Sequence, residues 1–128
     1  MQCLLIDKNI EERKRVAGLL LSLGLDCELH DDVPALLNAG SLTKPNLVFI
    51  EASSAADAQE VMKQFLHLPM GVTPPKVICY SDAPRLDDIA AYILAGAADV
   101  LVSPFDRELL RFKLEQAGFS ADENCPIS

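Results

Sequence analysis

The sequence predicts a three-layer α/β sandwich built on a five-stranded parallel sheet. Three observations predict it. Short apolar runs alternate with longer amphipathic segments five times along the 128 residues. Strand–helix pairs in that order form a parallel sheet, and right-handed crossovers lay helices on both of its faces. Half of the residues are hydrophobic, so one domain of this length can bury a core. Trp is absent and aromatics are few, which leaves Leu, Ala, Val and Ile to fill it.

Residues 3–6 read as a buried strand. Asn9 caps the helix that follows, with Glu12 three residues later as in a capping box. Val16, Leu19, Leu20 and Leu23 recur at helical spacing, and Gly24 ends the run. Residues 25–29 alternate in polarity, as in a strand near a sheet edge. Residues 33–39 form a short helix opened by Pro34 and closed by Gly40. Leu47-Val48-Phe49-Ile50, within residues 46–51, is the continuous apolar run of a central parallel strand. Residues 55–67 are helical, with Ala58, Val61, Met62 and Phe65 on one face. Residues 68–75 form a loop that exposes Met70 and Val72. The fourth strand is expected at 77–80, a helix closed by Gly96 at 86–95, and the fifth strand at 100–102. Asp106 caps the last helix, which carries Leu109, Leu110, Phe112 and Leu114. One domain is expected over residues 1–119 with a short tail at 120–128, and no output domain.

The net charge of −8 repels phosphate backbones and argues against nucleic acid. It suits either a basic partner surface or simple solubility. The apolar run at the N-terminus is too short for a signal peptide or a membrane helix, so no membrane role is expected. Cys3, Cys27, Cys79 and Cys125 lack the spacing of a zinc or redox motif. They are expected to be reduced, structural thiols of a cytoplasmic protein. His30 and His67 have no partner at metal spacing. Nothing in the sequence activates Cys79 as a nucleophile, and there is no glycine-rich phosphate loop.

In a sheet of this kind the functional crevice lies beyond the carboxyl ends of the strands. Asp7, Glu51, Ser81 and Ser103 are therefore the first candidates. Leu4-Leu5-Ile6-Asp7, Pro45 through Glu51, Pro75 through Ser81, Ala95-Gly96-Ala97-Ala98-Asp99 and Ser103-Pro104-Phe105-Asp106 occur in this order. Together they resemble the receiver domain of bacterial two-component response regulators, the CheY-like family, over nearly the whole chain. The resemblance implies a flavodoxin-like sheet in the order 2-1-3-4-5. It also implies a third-strand Asp that accepts phosphoryl from a histidine kinase, an acidic pair that helps hold Mg²⁺, and a hydroxyl residue and a Lys that contact the phosphoryl oxygens. It suggests a cis bond at Ser103-Pro104.

The chain departs from that pattern. Asp7 matches one acid of the pair, but Lys8 stands where the second is expected. Glu51, one methylene longer than Asp, occupies the phosphoacceptor position, and Ser81 matches the hydroxyl. Ser103 replaces the Lys, and Val100 stands where the family often has an aromatic. Phosphoryl transfer rests on positioning and charge compensation, so a degenerate stand-alone pseudo-receiver is expected rather than an enzyme. No cofactor is expected, and Mg²⁺ is expected to be held poorly. Lys8 paired with Glu51 or Asp7 would hold one fixed state; the alternative is drift at an unused site.

The expected function is a phosphorylation-independent interaction module for a histidine kinase, phosphotransferase or regulator. The alternatives are a working phosphoacceptor with an unusual acidic site and a small-ligand sensor. By the same resemblance, partners would dock on the last strand and last two helices. There Arg85, Tyr92, Arg107 and Arg111 are the candidate anchors, with Asp87, Asp88 and Lys113 beside them.

Overall fold

The computed structural model describes residues 3–31, 46–51, 63 and 75–119. The helix expected at 33–39, that at 55–67 apart from Lys63, the loop at 68–74 and the tail at 120–128 lie outside the described residues. The strands are β1 (Cys3–Ile6), β2 (Cys27–His30), β3 (Leu47–Glu51), β4 (Lys76–Ser81) and β5 (Asp99–Val102). All neighbours pair in parallel, and the sheet order is β2-β1-β3-β4-β5. This is the expected α/β architecture. The described helices are α1 (Ile10–Ser22), α2 (Leu86–Leu94) and α3 (Arg107–Gln116).

Successive side chains of a strand point to opposite faces, so each central strand feeds two cores. Leu5, Phe49, Ile78, Tyr80 and Leu101 pack on one face with Val16 and Leu20 of α1 and Leu110 and Leu114 of α3. Leu4, Val48, Ile50 and Cys79 pack on the other with Tyr92 of α2 and Ala97. Each large apolar side chain buried in this way contributes about 1.5–3 kcal/mol before its ordering cost. On α3 Leu109 and Phe112 stay accessible while Leu110 and Leu114 are buried.

Local chemistry fixes the ends of α1. Asn9 Oδ1 accepts from the N–H groups of Glu11 and Glu12 at 3.0 and 3.1 Å. The reciprocal half of the expected capping box does not form. Asn9 N–H donates instead to Asp7 Oδ1 at 2.9 Å, which frees Glu12 for another role. At the other end Gly24 takes a φ of 88°, a conformation open to glycine at little cost. There Leu25 N–H reaches Leu20 O at 2.8 Å.

The second strand begins two residues later than expected, at Cys27. This shift matters for the cysteines. Cys3 and Cys27 face each other in the parallel register of β1 and β2, 4.5 Å apart at Cα, and are joined in a disulfide. The expectation of reduced thiols therefore fails for this pair, because adjacency came from strand register and not from spacing along the chain. Cys79 is free and buried, as expected, and Cys125 lies outside the described residues. None of the helices among the described residues is long and apolar enough to cross a membrane.

Candidate functional site

The carboxyl ends of the strands bound a crevice of about 470 Å³ lined by Asp7, Lys8, Asn9, Glu12, Glu51, Tyr80, Asp82, Ser103 and Pro104. Four of the five candidates thus meet there: Asp7, Lys8, Glu51 and Ser103. Ser81 is buried beside it without lining it; its carbonyl accepts from Ser103 N–H at 2.8 Å. The Ser103–Pro104 bond is cis.

Asp7 is 2% exposed and held on every side. Its Oδ1 accepts from Asn9 N–H at 2.9 Å, and its Oδ2 accepts from the Tyr80 hydroxyl at 2.7 Å. Its backbone N–H donates to His30 O at 3.1 Å, and its carbonyl accepts from the Arg13 guanidinium at 2.8 Å. Arg13 also pairs with Asp31. Burial, and then the Asp7 carboxylate, push the Tyr80 hydroxyl well above the usual phenol range. Tyr80 therefore stays a proton donor.

A second cluster borders the crevice at Glu12 and Ser103. The Arg15 guanidinium donates to both oxygens of Glu12 at 3.1 and 2.8 Å, to Ser103 Oγ at 3.2 Å and to Phe105 O at 3.1 Å. It also lies 5.2 Å from the centre of the Phe105 ring. Ser103 Oγ donates to Glu12 Oε1 at 2.6 Å. Hydrogen bonds from Arg15, and to a lesser extent from Ser103, hold Glu12 below the usual carboxylate range. The Phe105 ring meets Tyr80 edge-on at 5.7 Å, so the two clusters are in contact.

Lys8 is exposed at the rim, and none of the ion pairs among the described residues includes it. The expected pairing with Asp7 or Glu51 is not part of this arrangement. Mg²⁺, which the family resemblance implies, does not fit these donors. Both Asp7 oxygens already accept hydrogen bonds, the next residue is a cation, and no three metal-ligating side chains gather among the described residues.

The expected partner face is altered at one position. Tyr92 is 1% exposed and belongs to the core beneath α2, so it is not a surface anchor. Arg85 is exposed. Arg107 reaches back to Ser22 Oγ and O at 3.2 and 3.3 Å, and Arg111 lies 3.4 Å from Glu115.

Sequence reasoning missed Glu12, Arg15 and Tyr80. The Glu12–Arg15 spacing is that of neighbours on one helix face. Tyr80 lies one residue before a strand-end candidate, a position normally read as core.

No protein-family model matches the sequence, and comparison with curated proteins finds no match. Solved structures do match. NtrX from Brucella abortus, in a complex with ADP, is 27% identical with a TM-score of 0.73 over 91% of this chain, which spans 25% of that protein. The isolated receiver domain of NtrX is 26% identical with a TM-score of 0.71, over 90% of this chain and 96% of that one. A CheY-like receiver domain from Methylobacillus flagellatus is 22% identical with a TM-score of 0.75, over 91% and 97%. The chain has the CheY-like, flavodoxin-like fold, and its structural neighbours are response-regulator receiver domains.

Proposed function

We propose that this domain is a pseudo-receiver: a cytoplasmic signalling module that binds a histidine kinase, phosphotransferase or regulator without accepting phosphoryl. One observation carries the reading. Ser103, at the position where the resemblance implies a phosphoryl-contacting Lys, is bound within the Glu12–Arg15 pair. The cation on that wall is thus already neutralised by a carboxylate of the same chain. A phosphoryl group on Glu51 would enter a crevice whose lining sets Asp7, Glu12 and Asp82 against one cation, Lys8. Phosphoryl transfer needs the opposite balance.

Exposed apolar side chains on the last elements support partner docking. Leu86, Ile93 and Leu94 of α2, Val102 of β5 and Phe112 of α3 all face solvent, beside Arg85 and Arg111. Arg107 is less available because it is committed to Ser22.

The test is a pair of backbone amide titrations by NMR, one with Mg²⁺ alone and one with Mg²⁺ and beryllofluoride. The expected result is no saturable shift at Asp7, Glu51 or Ser81. A saturable shift that spreads into α2 and α3 would establish the alternative, a working phosphoacceptor.

A further inference from the structure

We propose that the Cys3–Cys27 disulfide is a redox input to the crevice, by which a cellular dithiol sets the attachment of β2 and with it the seating of Asp7. The proposal is independent of whether the crevice accepts phosphoryl.

Four observations carry it. The bond links β1 to the edge strand of the sheet. β2 is only four residues long and half-buried, and within the sheet it pairs with β1 alone. Its far end is wired to the crevice: His30 O accepts the Asp7 N–H, and Arg13 bridges the Asp7 carbonyl to Asp31. The two sulfurs are also unequal. Cys3 is 1% exposed and Cys27 is half-buried, so a reductant meets Cys27 first. The redox role rests on the cytoplasmic reading proposed above, because disulfides that form inside cells are commonly redox-sensing.

The exchange balances as follows. A thiolate of the dithiol attacks Cys27 Sγ, the S–S bond breaks, and Cys3 leaves as a thiolate that takes up a proton. The second thiol of the reductant, losing its proton, attacks the mixed disulfide and releases Cys27, which is protonated to the thiol. Two electrons and two protons pass to the protein, and the reductant leaves as its own disulfide. Cys79 takes no part. Burial pushes its thiol up to about 12, and it lies in the core on the opposite face of the sheet.

The test uses the full chain equilibrated with oxidised glutathione or with dithiothreitol. Alkylation after denaturation counts free thiols, and hydrogen exchange by NMR reports the backbone. After oxidation, Cys3 and Cys27 should be protected from alkylation; after reduction, both should label. Reduction should speed exchange of the Asp7 amide and the β2 amides about a hundredfold, the equilibrium equivalent of losing the loop constraint. Amides of α3 that exchange by local opening should not change, whereas those that exchange only by global unfolding follow the fall in global stability. Cys27→Ala should show the reduced pattern under both conditions, and Cys79→Ala should keep the full response. Free Cys3 and Cys27 under oxidising conditions would overturn the proposal, and so would an Asp7 amide that exchanges equally in both states. If Cys27→Ala fails to fold, the comparison of the unmutated chain in its two redox states still decides.

Discussion

The Tyr80 hydroxyl donates to Asp7 Oδ2 at 2.7 Å, joining β4 to the end of β1 over the strand that lies between them. The bond is buried, so removing the hydroxyl leaves a carboxylate oxygen short of a donor. Tyr80→Phe should lower stability by about 1–3 kcal/mol. Urea denaturation should show the midpoint falling with an unchanged slope.

Arg15 joins α1 to the segment after β5 through Ser103 and Phe105. Arg15→Ala should cost about 1–2 kcal/mol, less than a fully buried pair because the side chain is partly accessible. It should also loosen Ser103, Pro104 and Phe105, read as faster amide exchange at Ser103 and Phe105, while α2 is unaffected.

Acid should release the same contact. Glu12 titrates below its ordinary value of 4.5 in the folded chain, chiefly because Arg15 donates to it. The unfolded chain therefore takes up the proton first. The stabilisation is complete above the unfolded value and is lost as pH falls through the lower folded one. A carboxyl-carbon NMR titration should place the Glu12 midpoint below 4.5, and Glu12→Gln should remove that part of the acid limb of stability.

Cys79 should resist modification. Its thiol is pushed up to about 12 by burial, so almost no thiolate forms near neutral pH. Iodoacetamide at pH 8 should leave Cys79 unlabelled in the folded chain and label it in urea. Mass spectrometry of the digested protein reads the difference.

Reduction of Cys3–Cys27 should lower global stability by about 3 kcal/mol on the chain-entropy account of a loop this long. The sequence separation is 24 residues. Thermal unfolding with and without dithiothreitol measures it.

The sheet and most of the crevice were legible because both follow from local pattern. Apolar runs located β1, β3 and β4, and the ends of parallel strands gather on one edge, so Asp7, Glu51 and Ser103 had to converge. What was not legible depends on contacts between distant segments. The Cys3–Cys27 pairing needs the offset between two neighbouring strands, which an error of two residues at the start of β2 hides. Tyr80 points from an apolar strand, and only the three-dimensional position of Asp7 reveals that its hydroxyl has a partner. Glu12 was read as a cap because its spacing from Asn9 allows one. Ser103 and Arg15 offered it a better set of bonds than the backbone of Asn9. Tyr92 was read as exposed because the family resemblance puts partners on the last two helices, but it turns inward beneath α2.

The division of the core by the sheet has a consequence for how a disturbance travels. Tyr80, Phe105, Leu110 and Leu114 share one side, while Cys79, Tyr92 and Ala97 share the other. A push on the crevice through Tyr80 is passed by its ring to Phe105 and so toward the start of α3, on the side of the sheet away from Tyr92 of α2. The molecule thus behaves as two rooms with one wall, and what enters by the crevice is heard first in the room that holds α1 and α3.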